Sequence, residues 1–106
     1  MKKIYVGGPF TGQEMRNTHN AVEVGVKLIK LGFAPYIPHL YAFVDYLHPL
    51  GYEDCMNLCF EWLPICDALY VIRNSPGTDR EIELAKKLNI PIFYNIDDIL
   101  MHFMVK

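Results

Sequence analysis

Four short runs of β-branched and aromatic residues, each separated from the next by a segment of helical composition, restrict this chain to a narrow set of folds. The runs are "KIYVGG", "FAPYIPHL", "DALYVIR" and "IPIFYNI". The first and third are almost continuously apolar, as expected of strands covered on both faces. The second is expected to be short, because Pro35 and Pro38 bracket it and proline donates no hydrogen bond to a sheet ladder. Strands that alternate with helices connect through right-handed βαβ crossovers, which predicts one parallel sheet with helices on both sides.

Capping signals place the helices. Thr11-x-x-Glu14 reads as a capping box that opens the first, and Gly32 suits its C-terminal stop. A second helix is expected over residues 52–63, ending near Pro64. A third opens within "SPGTDRE", residues 75–81, and ends about Asn89. A short fourth runs from residue 97 to about residue 104. The longest stretch without such signals, "HLYAFVDYLHPLGYED" at residues 39–54, is expected to be a loop at the carboxyl end of the second strand, where open α/β sheets bind ligands. Its aromatics Tyr41, Phe43, Tyr46 and Tyr52 are suited to stacking on a planar base, and equally to a satellite core or a dimer contact.

Composition narrows the partners. With 106 residues, 52% of them hydrophobic and 21% charged, the chain has the makings of a single core. Its net charge of -2 and its scattered basic residues exclude a nucleic-acid polymer, whose phosphates require a concentrated cationic face. The opening "MKKIYVGGPF" has the pattern of neither a signal peptide nor a membrane span, so no membrane partner and a cytoplasmic location are expected. Three cysteines, Cys55, Cys59 and Cys66, form no disulfide framework and no CxxC zinc pattern, and read as buried thiols. Cys55, Cys59, His39 and His48 lack diagnostic ligand spacing, and neither a metal nor another cofactor is expected.

Two strand-to-helix junctions carry the candidate chemistry. In "YVGGPFTGQE", Gly7 and Gly8 permit close backbone approach beside a helix N-terminus, although the G-x-G-x-x-G spacing of dinucleotide sites is absent. In "RNSPGTDRE", Thr78-x-x-Glu81 fits a second capping box, with the glutamate bonding back to the cap. Helical spacing offers another reading: residues 81, 84, 85 and 88 share a face with Leu84, Ala85 and Leu88, so Glu81 extends the core-facing stripe over the ligand crevice. Glu83 points outward, at ion-pairing distance from Lys86 and Lys87.

At these residues the chain resembles the nucleoside 2-deoxyribosyltransferase-like superfamily, which includes the deoxynucleotide N-glycosidases. The resemblance rests on "IYVGGPFTG", Asn17, "GFAPYIPHL", "EWLPICDALYVI" and "SPGTDREIELAKKLNIPIFY", and spans nearly the whole sequence. The fold expected from pattern and resemblance together is a single-domain, three-layer α/β fold of Rossmann or flavodoxin-like type, with four parallel strands in the order 2-1-3-4. Ser75, Gly77 and Glu81 match the family's [DS]-x-G-x-x-x-E pattern, which implies Glu81 as the nucleophile on the anomeric carbon of a nucleoside or nucleotide. The resemblance further implies substrate contacts from Tyr5, Gly7, Gly8, Pro9, Phe10, Asn17, His39, Cys59, Ser75, Gly77 and Asp79, no cofactor, and a homodimer or larger oligomer. Cys59 stands where the family commonly has an aspartate. Pro9 and Thr11 stand where nucleotide-hydrolysing members have serine and arginine. A non-catalytic nucleotide-binding module of the same fold, and a purely structural partner-binding domain in which Glu81 only caps a helix, are the alternatives.

Overall fold

Ile4, Tyr5 and Val6 are wholly buried, which marks the first strand as an inner one. In the computed structural model, which describes residues 1–104, this strand, β1 (Lys3–Gly7), pairs in parallel with β2 (Ala34–Tyr36) on one side and with β3 (Ala68–Val71) on the other. β4 (Ile92–Phe93) adds parallel to the far edge of β3, giving the order 2-1-3-4. The expected α/β architecture is thus the observed one.

Successive side chains of a strand point to opposite faces, and this pleat divides the core in two. Ile4 and Val6 pack with Ala21 and Leu28 of α1 (Glu14–Lys30) and with Ile99 of α5 (Ile96–Met104). Tyr5, Leu69 and Val71 face the other way, toward α3 (Tyr52–Trp62) and α4 (Pro76–Lys87), where they meet Cys59, Leu63, Ile82 and Ala85. Three layers result. Burying each large aliphatic side chain contributes about 1.5–3 kcal/mol before entropy is counted.

The stop of α1 is as its glycine predicts: Gly32 has φ +92°, and the Phe33 amide bonds back to the Leu28 carbonyl. Its start is not. The helix begins at Glu14 after Gln13, so Glu14 lies at the first helical position and Thr11 does not cap. Glu14 instead accepts the Gly12 amide at 3.0 Å, where Gly12, at φ +100°, turns the chain into the helix.

Residues 39–54 depart from the expected loop. A 3-10 turn (Pro38–Leu40) runs into α2 (Tyr41–Leu47), and a short connection then leads to α3. No residue of α2 is fully buried, so the segment lacks the apolar periodicity from which a helix is read. Asp45 stabilises its exit by accepting the Leu50 amide at 2.7 Å. The remaining expected boundaries agree with α3, α4 and α5 to within two residues.

Candidate functional site

α4 begins where Pro76 fixes the first helical φ and Ser75 precedes it as the cap. The Ser75 hydroxyl accepts the Thr78 amide at 3.2 Å and lies 2.8 Å from the Thr78 hydroxyl. Capping therefore belongs to Ser75, three residues earlier than the Thr78 box expected from the pattern. Glu81 then falls more than a turn inside the helix and does not cap it.

The buried face of α4 is Thr78, Glu81, Ile82 and Ala85, whereas Leu88 is 44% exposed. The stripe is rotated relative to the expected 81-84-85-88 face, yet Glu81 belongs to both and is only 5% exposed. Glu83 does point outward, but among the described residues neither Lys86 nor Lys87 pairs with it; the Arg80–Glu53 bridge is the ion pair α4 makes.

Beneath Glu81 lies Tyr5, placed there by the pleat of β1, and its hydroxyl donates to Glu81 Oε2. A Cβ added at Gly7 would sit 3.3 Å from Glu81 Oε1 and 3.2 Å from Leu69, so glycine leaves room for the carboxylate. Cys59 of α3 completes the surroundings. Burial pushes the Glu81 carboxyl up to about 7, while hydrogen bonds from Tyr5 and Cys59 act to lower it. Burial, reinforced by the Glu81 charge, raises Tyr5 well above an ordinary tyrosine. Burial likewise pushes the Cys59 thiol up to about 11, so Cys59 is a neutral thiol near pH 7.

Above Glu81 opens a cavity of about 600 Å³. Of the residues expected at a substrate, Gly8, Pro9, Phe10, His39, Cys59, Ser75, Gly77 and Glu81 line it. The others stand apart from it. Tyr5 and Gly7 support Glu81 from behind, and Asn17 donates to the Phe10 carbonyl at 3.0 Å, fixing the first loop without reaching the cavity. Asp79 is exposed and accepts from the Asn74 amide group at 2.9 Å. Its helical phase, two residues before Glu81, turns it away from the buried face.

His39 is 5% exposed and bonds through Nε2 to the Pro9 carbonyl at 3.0 Å. A carbonyl only accepts, so Nε2 carries the proton in this contact. Burial lowers the histidine below its ordinary value and keeps the ring neutral. Its Nδ1 is buried with no hydrogen-bond partner among the described residues.

Tyr41 and Tyr52 line the cavity, but Phe43 and Tyr46, 71% and 83% exposed, lie outside it. A latch joins α3 to α4 beside Tyr52. Arg80 donates to both carboxylate oxygens of Glu53, at 3.0 and 3.2 Å, with its guanidinium 5.7 Å from the Tyr52 ring centre. Gly77 leaves room for the Tyr52 hydroxyl, which would be 3.4 Å from an added Cβ.

Sequence reasoning missed Glu14, Asp45, Cys55 and Met56 as cavity residues. Tyr52, Cys55, Met56 and Cys59 follow helical i, i+3, i+4, i+7 spacing, a signal that finds this face of α3. Asp45 carried no such signal, because the helix bearing it was unexpected. Among the described residues no group of three or more His, Cys, Asp or Glu side chains is placed to hold a metal ion, and no helix is long and apolar enough to cross a membrane.

No curated protein matches this chain. Among solved structures, a conserved protein from Enterococcus faecalis V583 is similar, with a TM-score of 0.70 and 21% identity. The match covers 87% of this chain but only 61% of that one, and at such identity it establishes a shared fold alone. A family model described as a domain of unknown function, DUF7768, matches residues 2–95, and the chain therefore belongs to that family.

Proposed function

We propose that the protein cleaves the N-glycosidic bond of a nucleoside or nucleotide, with Glu81 as the nucleophile. The observation that carries this reading is a carboxylate almost withdrawn from water, held by a tyrosine hydroxyl, at the wall of a cavity large enough for a nucleoside. Tyr5 holds Oε2 and thereby orients the carboxylate at the cavity wall, and Oε1 is the oxygen left to attack a sugar carbon. As the base departs, positive charge develops on the sugar, and a poorly solvated anion next to that carbon stabilises it strongly. Capture of the carbon gives a glycosyl ester, which water or a second base resolves.

The test is incubation of the purified protein with a panel of nucleosides and their monophosphates, with free base followed by chromatography. Glu81→Ala is expected to lower release at least 100-fold, and equal release by both proteins overturns the assignment.

Cys59 supports a second reading. Where the resembled family commonly has an aspartate, Glu81 is flanked by a neutral thiol. A non-catalytic module that binds a nucleotide in this cavity predicts thermal stabilisation without base release. Homo-oligomerisation and a cytoplasmic location remain part of the proposal. Exposed Phe43, Tyr46 and Leu47 on α2 offer an apolar contact face, and light scattering on the purified protein measures whether it is used.

A further inference from the structure

The charged side chains that line the cavity are all acidic, and stand among the neutral hydroxyls of Thr11, Tyr41, Tyr52, Ser75 and Thr78. Glu14, Asp45 and Glu81 bring carboxylates to it, and no lysine or arginine is among its described lining residues. His39 adds no positive charge: burial disfavours its charged form, and its Nε2–H is engaged by Pro9. Glu14 is held as an anion by the Gly12 amide. Three carboxylates with no cationic side chain among them disfavour phosphate, whereas Phe10 and Tyr41 supply aromatic rings of the kind that attract a cation; the Tyr52 ring already has Arg80 against it.

The groups around Glu81 also offer no strong acid for a departing base, since the hydroxyls of Ser75 and Thr78 are weak acids bonded to one another. The Tyr5 hydroxyl is committed to Glu81, and the Cys59 thiol, pushed up to about 11, is a weak acid. His39 spends its one proton on Pro9. A neutral nucleobase leaves poorly without protonation. A base that is already a cation needs none.

We propose that the aglycone taken by this cavity is a positively charged, N-ribosylated heterocycle of the pyridinium kind. This rests on the glycosidic reading of Glu81 and names its substrate class. A Glu81 carboxylate oxygen bonds to the anomeric carbon while the carbon–nitrogen bond breaks, its electron pair moving onto the ring nitrogen. The heterocycle leaves neutral. Water then displaces Glu81 from the sugar and loses a proton to solvent, so one proton is released for each bond hydrolysed.

The experiment compares the N-riboside of nicotinamide, a permanent cation, with neutral uridine and cytidine and with uridine 5′-monophosphate. Turnover is measured with the wild-type protein, and dissociation constants with Glu81→Gln, so that binding is separated from the intrinsic ease with which a cationic base leaves. Expected are base release from the cation with one proton per turnover, at least tenfold tighter binding of the cation than of either neutral nucleoside, and no measurable binding of the monophosphate. Asp45→Asn is expected to weaken binding of the cation at least threefold more than binding of uridine. Release from the neutral nucleosides with equal or weaker binding of the cation overturns this inference and leaves the glycosidic reading intact. Release from no compound, with Glu81→Gln binding none of them, overturns both.

Discussion

Glu81 is the residue at which the chemistry and its cost meet. A carboxyl raised to about 7 is only partly ionised at neutral pH, and a nucleophile must be ionised. The predicted kcat/KM for glycosidic cleavage therefore rises with pH and levels off above about 7. The Tyr5 hydrogen bond favours the charged form, so Tyr5→Phe is expected to move that midpoint to higher pH and to lower the rate at pH 7 by roughly tenfold. An unchanged midpoint, read from pH profiles of the two proteins, removes Tyr5 from the site. Gly7→Ala tests the other oxygen: a methyl group 3.3 Å from Oε1 and 3.2 Å from Leu69 is expected to lower kcat/KM by roughly tenfold, and an unchanged kcat/KM would contradict the room that glycine leaves there. The position of Glu81 was legible in the sequence because i, i+3, i+4 spacing sets burial irrespective of where a cap falls. The departure of Leu88 from that stripe was not legible, since α4 ends at Lys87 and Leu88 lies at its C-terminal cap, beyond the reach of the helical period.

At the scale of elements, the site depends on how α4 is started. Ser75 satisfies the Thr78 amide, and the helix so begun carries Glu81 over the carboxyl end of β1. Ser75→Ala is expected to destabilise the protein by about 1 kcal/mol, as removal of an N-cap does, whereas Thr11→Ala leaves stability within about 0.5 kcal/mol because Thr11 caps nothing. Urea denaturation of both variants measures the contrast, and equal losses contradict the assigned caps. The strands and their order were readable because apolar runs and βαβ chirality leave few alternatives. α2 was not, for the opposite reason: a helix with no fully buried residue follows no apolar period, and its turns are fixed by the neighbouring Pro38 turn and by Asp45. The same gap hid Asp45 itself, so the cavity's charge emerged only from the tertiary structure.

For the whole molecule, the buried carboxylate sets a conflict between stability and the proposed activity. An unfolded chain ionises Glu81 near 4.5, and the folded chain near 7. Below about 4.5 both states hold the proton, and the protonated carboxyl costs the fold little. Between the two values the native state binds a proton that the unfolded state has released, so stability falls as pH rises, and the loss is complete above about 7. A separation of this size corresponds to about 3 kcal/mol, an appreciable part of the net stability of a small domain. Glu81→Gln keeps the shape and an acceptor for Tyr5 without the charge. It is therefore expected to match the wild type near pH 4.5 and to exceed it by up to about 3 kcal/mol at pH 8 while abolishing cleavage. Denaturation midpoints across pH 4.5–8 give the difference directly, with all other titrating groups cancelling between the two proteins. Parallel curves would mean that water reaches Glu81 freely, and the poorly solvated anion on which the glycosidic reading depends would be lost with them.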